Sequence, residues 1–251
     1  MESVSALISM DPGVAAAVLQ LSNSAFYSNG DKSYNIGESV TRVGLLKAYE
    51  LVANAVAGRL FLRNLDTYGI TAWTLWRTSF TCALAAEKVA MRIGFEGPTA
   101  YTVGLFHGAG LMAIDLWNDE SGKGLRLRSE GFPRETTEDE KRLLGFTHAS
   151  VAGALLRRWS FHSKIVEPVR WQHQPKNAGA YTKMASVLHL AKWLSATAHL
   201  EEKAPPPPLP EESILHALKF PAEDLPELAI EVKADYDSAV NLLNSLGEEE
   251  S

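Results

Sequence analysis

Residues Tyr101 to Trp117 read YTVGLFHGAGLMAIDLW, an apolar run dense in small side chains and carrying one histidine. Pro98, just upstream, suits a first helical turn, because the N–H it lacks would be unpaired there and its φ is already helical. The run predicts a single buried helix. Leu105, Phe106 and Leu111 give it a broad apolar surface, while Gly104, Gly108, Ala109 and Gly110 let neighbouring helices approach closely at a cost in backbone entropy. A histidine on such a helix reads first as a hydrogen-bonded core residue and second as a ligand.

The surrounding composition is that of a globular chain: 251 residues, 46% hydrophobic and 22% charged, which is enough to bury a substantial core. The one cysteine, Cys82, rules out an internal disulfide and any cysteine-cluster metal site, as expected in a reducing cytoplasm. The N-terminal MESVSALISMDP has no basic, apolar signal pattern, and no stretch reaches the length of a membrane span, so a cytoplasmic location without membrane contact is expected. A net charge of -6 opposes nonspecific attraction to nucleic acid.

Periodicity extends the helical reading along the chain. Asp11 before Pro12 predicts a capped helix running to Ser22. Asn23 to Gly37 then reads as an irregular loop whose Phe26, Tyr27 and Tyr34 plug the base of the first helices or, in a functional reading, form a docking surface. Glu38 to Val43 and Leu45 to Phe61 read as two helices joined by Gly44. As a DNA-binding helix-turn-helix this pair fails, since Lys47 and Arg59 against Glu50 are too few cations to track phosphates.

Trp73, Trp76, Phe80, Leu84 and Glu87 keep helical spacing over Thr71 to Ile93, an aromatic stripe expected in the core. Asn118 to Arg134 reads as a surface loop, and Thr137 with Glu140 as a capping box opening a short helix. His148 to Trp159 follows, then a segment capped by Ser163 and ended by Pro175, then a long helix from Tyr181 to His199. Pro205 to Pro208 form an extended spacer, beyond which Ile214 to Leu218 and Leu225 to Leu246 are helical. No alternating strand pattern, phosphate loop or repeat is visible, so the fold class is all-α.

The order and spacing of several blocks resemble the HDOD domain family, the "HD-related output domains" that are relatives of HD-type metal phosphohydrolases. These blocks are MDPGVAAAVLQLSNSAFY, ESVTRVGLLKAYELV, the W-x-x-S-F of Trp76 to Phe80, GLFHGAG, LLGFTHASVAGALLRRWSFHSKIVEPVRWQHQP and SVLHLAKWLS. The resemblance implies a multi-helix HD-like bundle. Residues 1–200 are the expected HDOD domain, with a helical lobe over about 1–65 and an HD-like core over about 66–200; 201–210 are a proline-rich linker, and 211–251 are C-terminal helices that pack on the body.

In HD enzymes a histidine, a His-Asp pair and a later aspartate hold the divalent ion, whose charge carboxylates neutralise and whose bound water attacks a phosphate ester. On this chain the resemblance places Thr78 near the first of these positions, His107 and Gly108 at the pair, and Lys192 at the last. A lysine there opposes a cation by about 4 kcal/mol at ~4 Å and an effective dielectric of about 20. No catalytic residue, metal or cofactor is therefore expected.

His107, His148 and His173 match positions that related HD-GYP phosphodiesterases use for additional metal. They read as structural histidines, and as vestigial ligands only in the alternative of a metal-dependent phosphohydrolase with a rearranged histidine site. His162, His189, His199 and His216 match nothing and are expected at the surface or its edge. Two readings stand for Lys192: its side chain snorkels to solvent, or, with Arg77 and Thr78, it holds nucleotide phosphate. The implied role is non-catalytic bacterial signal transduction by protein or small-ligand binding, with kinases, response regulators or cyclic dinucleotide enzymes as partners.

Overall fold

In the computed structural model the described residues are 6, 8–24, 27–28, 31–44, 63–127, 137–200 and 207–248, with side chains described to 241. The second half of the predicted Gly44 helix pair, Phe26 and the start of the proline stretch lie outside them. The molecule is all-α; among the described residues the only extended pairing is an isolated antiparallel bridge between Leu65 and Ile70.

The helices are α1 (Pro12–Ser22), α2 (Ile36–Val43), α3 (Ala72–Arg92), α4 (Gly97–Phe106), α5 (Ala109–Ser121) and α6 (Thr137–Leu144). After them come α7 (His148–Arg158), α8 (Ser163–Arg170), α9 (Thr182–Ala198), α10 (Glu212–Leu218) and α11 (Leu225–Glu248). Short 3₁₀ turns occupy Pro175–Tyr181 and Ala222–Asp224.

Local chemistry explains most boundaries. The Asp11 carboxylate accepts from Gly13 N and Val14 N at 2.7 and 3.0 Å, opening α1 with Pro12 in its first turn. Thr71 caps α3 through Thr74 N. Thr147 and Ser150 bond each other's backbone N–H in a capping box that opens α7.

Several sequence expectations need correction. The 101–117 run is not one helix: it breaks at His107–Gly108 into α4 and α5. The reason is packing from two sides. A Cβ on Gly104 would sit 2.6 Å from the Cys82 carbonyl of α3, and one on Gly110 would collide with the His148 carbonyl at the start of α7. Each half of the run is thus seated against a different neighbour, and the His-Gly turn re-aims the chain between them.

The cap of α8 is His162, whose Nδ1 accepts from Lys164 N at 3.0 Å, and Ser163 is already helical. That helix stops at Arg170, before the expected Pro175. The 118–134 loop starts late, because α5 continues to Ser121. In the aromatic stripe Phe80 is buried, but Trp73 at the helix start is 56% exposed.

At the centre, α3 packs along α4 and α9, α5 along α7, and α7 along α8, while α11 lies against both α3 and α9. One large apolar cluster runs through α1, α2, α3, α4, α5, α7, α8, α9, α10 and α11. The turn at 63–70 joins a smaller cluster of Leu65, Tyr68, Ile70, Leu75, Leu111, Ile114 and Leu127. These two cores fix the ends of α3, α5, α7 and α9 around the histidines.

Candidate functional site

Three of the singled-out side chains meet in one hydrogen-bonded chain. Lys192 Nζ, on α9, lies 3.3 Å from His173 Nδ1. His173 Nε2 lies 3.0 Å from His148 Nε2, with the rings edge to face. His148 Nδ1 lies 2.9 Å from Oε2 of Glu140, on α6. Glu140 also accepts from His148 N at 2.8 Å and from the Tyr68 hydroxyl at 2.8 Å. Glu140 is fully buried, with His148 6% and Lys192 9% exposed.

The proton positions follow from the two ends. A carboxylate only accepts and an ammonium only donates. Glu140 therefore fixes the His148 proton on Nδ1, and Lys192 makes His173 Nδ1 an acceptor, which leaves the His173 proton on Nε2. His173 then donates to the Nε2 lone pair of His148. Every link runs one way, from the Lys192 ammonium through two imidazoles to the Glu140 carboxylate.

Burial pushes the Glu140 carboxyl up, but donation and charge from His148, with help from Tyr68, outweigh it and hold the group below the usual carboxylate range. The same arrangement raises the Tyr68 hydroxyl, through burial first and the Glu140 charge second.

His107, at the turn between α4 and α5, is tied in differently. Its Nδ1 lies 2.7 Å from the Gly104 carbonyl, so that nitrogen carries a proton. Its own carbonyl accepts from Gln172 Nε2 at 3.1 Å, which links it to the residue next to His173. Gln172 Oε1 is buried without a partner, an acceptor that one buried water would satisfy.

Thr78 and Arg77, expected with Lys192 to hold phosphate, are neighbours on α3. The Thr78 hydroxyl donates to the Thr74 and Leu75 carbonyls of its own helix, and its carbonyl accepts from Ser195 on α9. The charge on Arg77 instead bears on His199 and Tyr236. His199 bonds Thr81 Oγ1 at 2.7 Å and packs edge to face on Tyr236. Burial, then the Arg77 and Lys233 charges, lower it to about 4. Of the histidines expected at the surface or its edge, His216 is exposed and His162, His189 and His199 are half-buried.

A cleft of about 20 Å³ is lined by Gly108 with Asp11, Trp76, Ser79, Phe106 and Met112 among others. It has room for a single water, and the histidine chain does not line it.

Glu140 and Tyr68 were missed in the sequence. Glu140 reads there as a capping residue, and nothing local shows that its carboxylate turns inward to a histidine eight positions on. Asp115 was missed likewise: buried on α5, it accepts from Thr67 N at 2.9 Å and pairs with Arg63 at 2.9 Å. With Glu140 it fastens the 63–70 turn beside the cluster.

Comparison with known proteins agrees with this architecture. The family model described as "HDOD domain" matches residues 1–175. An uncharacterized protein of Treponema pallidum (strain Nichols) is 25% identical over 182 residues, 71% of this chain and 34% of that protein. The chain thus spans about a third of the length of that relative.

Among solved structures, the MmoQ response regulator of Methylococcus capsulatus str. Bath superposes with a TM-score of 0.71 at 18% identity, covering 91% of this chain and 88% of that one. A virulence factor of Campylobacter jejuni subsp. jejuni gives 0.66 at 19% identity, over 94% and 88%. At such identities the likeness is one of fold alone.

Proposed function

The chain belongs to the HDOD domain family, and from that premise we propose that it is a non-catalytic signalling module, a helical scaffold that acts by binding a protein partner or a small ligand. One observation carries this reading: the ammonium of Lys192 donates into the histidine cluster where the family's enzymatic relatives need an anion. The donor set does not fit a divalent ion. Position 108 offers no carboxylate, position 192 offers a cation, and the Nε2 lone pair of His148 is committed to His173. Glu140 is turned to Nδ1 of His148 and away from the His148–His173 contact.

Among the described residues no helix is long and apolar enough to cross a membrane. Signalling proteins such as kinases, response regulators or cyclic dinucleotide enzymes are the expected partners, reached through the surface of the bundle.

The decisive experiment measures the metal content of purified protein together with its turnover of a generic phosphodiester, with His107→Ala as control. The reading predicts substoichiometric metal and no His107-dependent turnover. Stoichiometric metal with hydrolysis lost in His107→Ala would establish the other reading, a metal-dependent phosphohydrolase with a rearranged histidine site. That reading draws on one feature: a carboxylate on His148 Nδ1 is also how metal-binding histidines are oriented.

A further inference from the structure

We propose that Lys192 is a tautomer lock, a positioning residue that withholds the His148–His173 pair from transition metals. The inference rests on the non-catalytic reading above and explains what enforces it.

The two Nε2 atoms are 3.0 Å apart. Two nitrogens bound to one tetrahedral ion at ~2.05 Å each sit only about 0.3 Å further apart than this. That distance is close to the separation of two ligands on one ion, and Glu140 on His148 Nδ1 leaves that ring's Nε2 lone pair facing His173, so a tilt of both rings off the line between the nitrogens would let them converge on an ion. One proton opposes that. With Lys192 donating to His173 Nδ1, the His173 proton sits on Nε2 and occupies the electron pair that an ion would need.

To ligate through Nε2, His173 would have to carry its proton on Nδ1, facing the ammonium, so Lys192 would have to leave. Leaving breaks a charge-assisted hydrogen bond of a residue only 9% exposed. The lock thus acts through the hydrogen bond as well as through charge. Arginine preserves it, since a guanidinium also only donates. An apolar side chain of similar length releases it.

Zn²⁺ titration of the full chain tests this, with Lys192→Met, Lys192→Arg and Lys192→Met/His173→Asn compared with wild type and each checked for a cooperative melt. Lys192→Leu serves as the second apolar replacement if the methionine variant does not fold. Release of the lock predicts Zn²⁺ binding about ten- to a hundred-fold tighter in Lys192→Met than in wild type. It predicts no gain in Lys192→Arg and loss of the gain in the double variant. A folded Lys192→Met that binds no tighter than wild type overturns the lock, and so does an equal gain in Lys192→Arg. Neither result touches the absence of phosphodiester turnover in wild type, so failure of the lock is distinguishable from failure of the functional reading.

Discussion

Replacing Glu140 with glutamine removes the anion that accepts from His148 twice and from Tyr68 once, and sets an amide N–H₂ among donors. Because the site is fully buried, urea unfolding should show a loss of about 3 kcal/mol. Tyr68→Phe, which removes a single donor, should cost about 1 kcal/mol. Cys82 makes a complementary prediction. Burial, opposed only in part by the Lys192 charge, pushes its thiol up to about 12. In the native protein it should resist a thiol reagent at neutral pH, and it should react at full rate once urea unfolds the chain.

At His199 the sign is that of a half-buried neutral base. Its folded value is about 4 against an ordinary 6.5. The unfolded chain therefore takes up a proton first as pH falls, and stability drops between about pH 6.5 and pH 4. The Glu140 contribution has the same sign at lower pH, being lost as its lowered folded value is crossed. Melting temperature should fall over the first window, and His199→Gln should flatten that part of the profile.

Helices were legible where their signals are local. The Asp11–Pro12 start, the stripe of α3 and the amphipathic α9 and α11 lie within a residue or two of where periodicity puts them. What was not legible is non-local. The break at His107–Gly108 depends on which helices press on the two halves of the 101–117 run, and sequence spacing alone does not carry that. The same close approaches give a graded test. Gly110→Ala, whose Cβ would meet backbone at the start of α7, should cost about 3 kcal/mol or more. Gly122→Ala, at φ +64 with open space around it, should cost only about 1 kcal/mol of backbone strain. Urea midpoints of the two variants separate packing from conformation.

For the whole molecule, α11 is held to α3 and α9 by an apolar seam under a charged rim. Leu228 and Val232 are fully buried, while Lys88 and Arg92 reach Glu231 and Asp235 at 2.8 to 3.3 Å near the surface. Leu228→Ala should cost about 2–5 kcal/mol and Lys88→Ala less than about 1 kcal/mol, since exposed ion pairs are screened. The candidate site was half legible on the same grounds. His107, His148, His173 and Lys192 could be named from their blocks, but the direction of the donor chain could not, because Glu140 and Tyr68 reach it from separate parts of the sequence.

That direction is open to a single measurement, a long-range proton–nitrogen correlation of the histidine rings in native protein at neutral pH. The donor chain predicts the His173 proton on Nε2, with Nδ1 bare and accepting from Lys192. A His173 proton on Nδ1, or a ring nitrogen shifted by a bound ion, would contradict it.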